Sequence, residues 1–104
     1  MDILAHLEAV IADRRTASPD SSYVAKLNAR GLPVMARKLG EESVEAVVAA
    51  LSGSDDELVG EVADLVFHLL VLLNAKGIAL ADVLAELERR EGVSGLDEKA
   101  ARSE

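Results

Sequence analysis

The sequence predicts an all-α fold: a helical bundle of about five helices with a core completed by dimerisation. Half of the residues are apolar (50%), yet Tyr23 and Phe67 are the only aromatics, so the core is built from Leu, Val and Ala. Such a core favours helices over sheets. The apolar positions recur at spacings of three and four between breaks rich in Gly, Pro, Ser and Asp. A third feature, the stretch "VADLVFHLLVLL" (62–73), is apolar nearly all the way round a helix, interrupted mainly by Asp64 and His68. A helix of that kind must be surrounded. One chain of 104 residues offers too little to cover it, so a two-fold homodimer is expected, with Leu70→Asp as the change that would split it.

Each element has its own signals. Ile3, Leu4, Leu7, Val10 and Ile11 keep helical spacing and place a first helix over about 2–14. "TASPDSS" breaks it, and Asp20 or Ser21 is the expected cap of a short second helix that ends before Gly31. Pro33 suits the first turn of a third helix running to about Leu51. "SGSDDE" supplies Gly53 as a terminator, Ser54 or Asp55 as the next N-cap, and acidic residues for the first turn of a fourth helix. That helix continues to Lys76, where Gly77 stops it; a fifth spans about Leu80 to Arg90 and ends at Gly92. The remainder, 92–104, reads as a polar C-terminal tail anchored by Val93 and Leu96. There is no repeat and no linker, so 1–104 is expected to be a single domain.

Charge and composition exclude several classes. The chain carries 11 basic and 19 acidic residues, a net charge of −8, with no basic run, which argues against nucleic acid as a partner. The longest apolar stretch falls short of the roughly 20 residues that span a bilayer, so it reads as a buried helix and no membrane is expected. The N-terminus "MDILAHLEAVIADRR" lacks the cationic region and apolar core of a signal peptide. With no cysteine, thiolate zinc sites and disulfides are impossible. A cytoplasmic protein is the consistent expectation.

The unusual feature is a crowd of carboxylates. "KLGEESVEA" (38–46) places Glu41, Glu42 and Glu45 within an arc of roughly 100° on one helix, with Lys38 in the same arc. The next helix carries Glu61 and Asp64, in line with Glu57 and His68 and leading into the apolar Val71 and Leu72. The short turn between the helices makes them antiparallel. The Glu42–Glu45 pair lies about ten residues before that turn and the Glu61–Asp64 pair about nine after it, a mismatch of about 1.5 Å along a helix. The pairs should therefore meet. A solvated acidic face would explain either pair alone, but not the matched register and the apolar continuation. Four inward carboxylates must protonate or bind a cation, and all-oxygen ligation suits Mg²⁺. A di-iron bundle would need Glu-x-x-His, and Asp64 stands where that histidine belongs.

"EESVE" (41–45) and "EVAD" (61–64) also resemble the EExxE…ExxD signature of the all-alpha nucleoside-triphosphate pyrophosphatase superfamily. "SSYVAKL", "KLGEESVEAVVAA", "ADLVFHLLVLLNAKGI" and "VSGLDEKA" narrow the resemblance to the phosphoribosyl-ATP pyrophosphatase family and extend it over nearly the whole chain. Ser43 is a mild departure, standing where a small apolar residue is expected. The resemblance implies Mg²⁺-dependent hydrolysis of phosphoribosyl-ATP to phosphoribosyl-AMP and pyrophosphate, the second step of histidine biosynthesis. It also implies Glu42, Glu45, Glu61 and Asp64 as metal ligands, Glu41 or Glu45 as the group handling the attacking water, and a stand-alone homodimer. Sites completed by both chains would draw on Lys76 or Arg14. The alternatives are a house-cleaning pyrophosphatase for other nucleoside triphosphates and a non-catalytic acidic helical module.

Further contacts to substrate are expected from Lys38, on the face of Glu42, and from Ser22, Tyr23 and Lys26 in "SSYVAKL". Each also has a plain structural explanation: Lys38 as a snorkelling lysine, the others as parts of a short amphipathic helix. Arg14 and Lys76 end helices, where cations suit the dipole. His68 reads as a hydrogen-bonded core or interface histidine rather than a ligand.

Overall fold

Five helices run through residues 1–92, and most start where a side chain can accept the first free N–H groups. The structure, a computed structural model, describes residues 1–92 together with Gly95, Lys99 and Arg102. Val93 and Leu96, the expected anchors of the tail, lie outside the described residues. Helix α1 spans Ile3–Arg14, α2 Tyr23–Arg30, α3 Leu32–Ser52, α4 Asp55–Ala75 and α5 Leu80–Arg90, with no strand among the described residues. Asp2 caps α1 by accepting from the Ala5 N–H at 3.1 Å, and Ser54 caps α4 by accepting from the Glu57 N–H at 3.1 Å. Asp55, Asp56 and Glu57 then occupy the first turn of α4, where negative charge meets the positive end of the dipole.

Two local expectations are corrected. The cap of α2 is Ser22, whose Oγ accepts from the Ala25 N–H at 3.2 Å, not Asp20 or Ser21. Those two are consumed in a turn built on Ser18: the Ser21 N–H donates to the Ser18 carbonyl at 3.0 Å, and the Asp20 N–H to Ser18 Oγ at 3.3 Å. Gly53 ends α3 as expected, but not by a left-handed turn, since its φ is −101°. A side chain there would be crowded: a Cβ would lie 3.0 Å from the Ala49 carbonyl oxygen and 3.2 Å from Ala49 Cα, so the backbone would have to give. The close passage keeps the α3–α4 turn short. Gly77, with φ 71°, is a left-handed stop after α4.

Helices α3 and α4 are the principal packed pair, with α1 against α4, α2 against α3, and α1 touching α2. The core sits at one end of this arrangement. Ile11 and Leu27 are almost wholly enclosed with Val71, and Val24, Met35 and Leu70 complete the cluster. Leu70 is only 3% exposed within its own chain, so the reading of Leu70 as an interface position is overturned; its replacement by Asp would break the protomer's own core.

The other end of the α3–α4 pair is bare. Val44, Val47, Val48 and Leu51 follow one another at helical spacing along α3 and are 62%, 57%, 55% and 84% exposed; Val59 and Val62 on α4 are also exposed. By length and composition α4 is apolar enough to cross a membrane, but only its C-terminal half holds buried residues, His68, Leu70 and Val71. The expectation of a buried helix therefore holds for half of it. Helix α5 has no buried residue and no capping side chain of its own. Glu8 of α1 substitutes, its Oε2 accepting from the Leu80 N–H at 2.7 Å.

Candidate metal and catalytic site

The tight turn at Gly53 fixes the antiparallel register, and that register brings the carboxylates together. One oxygen from each of Glu42, Glu45 and Glu61 can be chosen so that all lie within 4.8 Å of one another. Glu42 and Glu61 are half-buried and Glu45 is exposed, so the group opens to solvent at Glu45. Asp64, one turn after Glu61, is exposed and outside this tightest set, yet its charge acts on both Glu42 and Glu61. Three of the four expected ligands converge, and the fourth stands at the edge.

The polar accounting makes this more than a cluster of acids. Glu42 Oε2 and Glu61 Oε2 are buried and without a hydrogen-bond partner. A covered polar oxygen with no partner is unfavourable, and more so when charged. The residues therefore fit a hard cation: oxygen donors only, lone pairs unfilled, and spacing short enough for one ion to bridge.

Burial, then the carboxyl contact with Glu45, and then the charge of Glu45 raise the Glu61 carboxyl above its ordinary 4.5, with Asp64 and Glu42 adding to the effect. The same leading causes raise Glu42, partly offset by His68. A carboxyl raised in the folded state holds more protons folded than unfolded. Its stabilisation is full below the unfolded value of about 4.5 and is lost as pH rises through the raised value. Metal-free protein is accordingly expected to lose melting temperature as pH climbs from about 4.5 toward neutrality, and Mg²⁺ to cancel that loss. Thermal melts in chelator and in Mg²⁺ across this range check it; parallel curves in the two buffers would contradict it.

The other site residues divide by place. Glu41 faces its own helix neighbours, 3.5 Å from both Arg37 Nε and Lys38 Nζ, and half-exposed. Lys38 is thus engaged by Glu41 rather than by Glu42. Ser22 is buried and spends its oxygen on the cap, while Lys26 is exposed on α2. The Tyr23 hydroxyl lies 3.0 Å from His68 Nε2, and His68 Nδ1 lies 2.8 Å from the Asp64 carbonyl oxygen. His68 is the buried, hydrogen-bonded histidine that its position implied. Arg14 and Lys76 are exposed at the ends of α1 and α4; nearby, Arg15 donates to the Asn74 carbonyl at 3.1 Å. Beside the acids a groove of about 260 Å³ runs between Val44, Val48 and Ala49 on one wall and Glu57 and Glu61 on the other. Neither the Tyr23–His68 link nor this groove was visible in the sequence, because each depends on how helices distant in sequence pack.

Comparison with known proteins agrees with this geometry. The profile of the phosphoribosyl-ATP pyrophosphohydrolase family matches residues 4–91. A phosphoribosyl-ATP pyrophosphatase of Erythrobacter litoralis is 69% identical over 104 residues, covering 100% of both chains. One from Novosphingobium aromaticivorans is 64% identical, covering 98% of this chain and 95% of the relative. One from Dinoroseobacter shibae is 57% identical, covering 98% and 100%. A match of this extent, on a chain whose helices bring the acidic motifs together, places the protein: it belongs to the phosphoribosyl-ATP pyrophosphohydrolase family.

Proposed function

We propose that this chain is a Mg²⁺-dependent hydrolase that converts phosphoribosyl-ATP to phosphoribosyl-AMP and pyrophosphate, the second step of histidine biosynthesis. It would work in the cytoplasm as a homodimer. The observation that carries the metal dependence is the pair of buried, unpartnered oxygens on Glu42 and Glu61 facing Glu45. When bound, Mg²⁺ supplies charge that screens the polyphosphate and activates water.

The chain's own residues do the rest. Glu42, Glu45 and Glu61 hold the cation, and Asp64 completes the set at its edge. Glu45, the exposed member, and Glu41 are assigned to the attacking water, to orient it and take its proton. Arg37 Nε and Lys38 Nζ flank the Glu41 carboxylate at 3.5 Å and hold that side chain in place. Lys38 and Lys26 are assigned to the phosphates of the substrate. Ser22 and Tyr23 belong to the same binding segment, with their oxygens already engaged by the protein.

Lys76 lies about 20 Å along α4 from Glu61 and Asp64, too far to share a phosphate with them in one chain. A second copy resolves this. Pairing through the bare valines of α3 and α4 would cover them and bring Arg14 or Lys76 of the partner toward the acids. Pyrophosphate release from phosphoribosyl-ATP, compared with ATP and deoxynucleoside triphosphates, tests the substrate; equal turnover of all of them would favour a house-cleaning enzyme. Glu41→Gln is expected to lower kcat by about a hundredfold with KM little changed. Steady-state kinetics check this, and an unchanged kcat would leave Glu45 as the base.

A further inference from the structure

The chain's two aromatic side chains and its buried histidine form one cluster. The Tyr23 and Phe67 rings stack with centroids 6.0 Å apart, and His68 meets both edge-on, at 5.8 and 5.2 Å. Within it, a short polar chain runs from α2 to the acidic turn of α4. The Asp64 carbonyl has only lone pairs, so His68 Nδ1, 2.8 Å away, must carry the proton and donate. With the ring neutral, Nε2 is then an acceptor, and the Tyr23 hydroxyl at 3.0 Å is its donor. His68 is only 7% exposed, so its ring is enclosed as well as engaged at both nitrogens.

We propose that Tyr23 and His68 are a positioning pair: Tyr23 acts through His68, rather than on substrate, to lock α2 against α4 and to hold the Asp64 turn beside Glu61. The inference rests on the metal-site reading for its kinetic consequence, but not for its geometry. Three features support it. The link joins residues 45 apart in sequence, through a side chain that is only 7% exposed. It ends on the backbone of a residue belonging to the acidic motif. And the residue before Tyr23, Ser22, is the cap of α2, so the start of that helix is fixed at two adjacent points.

Tyr23→Phe removes one hydroxyl and keeps the ring stack, so the fold should survive; His68→Asn keeps a donor toward the Asp64 carbonyl but removes the acceptor for Tyr23. In the full chain, nitrogen-15 spectra should show His68 protonated on Nδ1, with the Nε2 resonance moving in Tyr23→Phe. The carbonyl carbon-13 resonance of Asp64 should move in both variants without metal. With Mg²⁺, calorimetric titration should show about fivefold weaker binding in Tyr23→Phe, and kcat should fall by about the same factor with KM for phosphoribosyl-ATP unchanged. The double variant should be no worse than His68→Asn alone. A raised KM with unchanged Mg²⁺ affinity, additive effects in the double variant, or His68 protonated on Nε2 would each overturn the proposal. Failure of the metal-site reading looks different: the wild-type chain would bind no Mg²⁺, while the two metal-free spectra would still decide whether the pair exists.

Discussion

Glu61→Gln is expected to abolish pyrophosphate release while leaving the metal-free protein at least as stable as the wild type. The two effects have one cause. Glu61 Oε2 is buried without a partner, and Glu45, Asp64 and Glu42 surround the carboxylate with like charge. Ionised and metal-free, that group opposes folding, so a neutral amide of the same shape relieves repulsion. In the working enzyme the same charge holds the cation that offsets several kcal/mol of charge in the transition state. A loss of about 4 kcal/mol there is on the order of a thousandfold in rate. A residue kept for packing would behave in the opposite way, losing stability with activity. Glu61→Gln should also lose the Mg²⁺-dependent rise in melting temperature, because a ligand stabilises only the state that binds it. Paired melts in chelator and in Mg²⁺, together with a pyrophosphate assay, separate the cases. Full activity in the variant would remove Glu61 from the site.

This site was legible in the sequence for a geometric reason. A turn of few residues forces α3 and α4 antiparallel, and a fixed rise per residue then sets which side chains stand at equal height. Glu42, Glu45 and Glu61 meet as that arithmetic requires. Helix ends were legible where a residue type has one local use, as with Gly77 after α4, while of Ser54 and Asp55, both open to the sequence, Ser54 proves to be the α4 cap. Where several residues compete for a local role, the choice depends on the loop's own hydrogen bonds, which is why Ser22 and not Asp20 or Ser21 caps α2. Contacts between distant residues left no local signal. Glu8 caps α5 from 72 residues away, and nothing around Glu8 or Leu80 announces it. The sidedness of α4 was hidden for a different reason. With apolar residues nearly all round, periodicity cannot tell Leu70, enclosed by its own chain, from Val62, left bare.

That bare surface sets the second large effect: Val47→Asp is expected to split the proposed dimer and take activity with it. Val47 is 57% exposed and sits in the α3 stripe between Val44 and Val48, but outside the groove that adjoins Glu45 and Glu61. The substitution therefore changes the apolar stripe without touching an acidic side chain. Covering an exposed Val or Leu completely is worth about 1.5–3 kcal/mol, and Val44, Val47, Val48, Leu51 and Val59 are all more than half exposed in the lone protomer. Stable pairs bury about 800 Å² on each partner, and the exposed α3 and α4 stripes offer apolar surface from which such a seam would be built. A carboxylate set into that seam has no counter-charge and must be desolvated or exposed, and either outcome opposes association. Sedimentation equilibrium at micromolar concentration should give twice 11.0 kDa for the wild type and the monomer mass for Val47→Asp. Circular dichroism should remain helical, because the protomer's core around Ile11, Leu27 and Val71 is elsewhere. If the partner supplies Arg14 or Lys76 to each site, kcat/KM should fall at least a hundredfold, and mixing with an inactive Glu61→Gln chain that retains the seam should not restore it. A wild-type monomer with full turnover would sink both the dimer and the shared site.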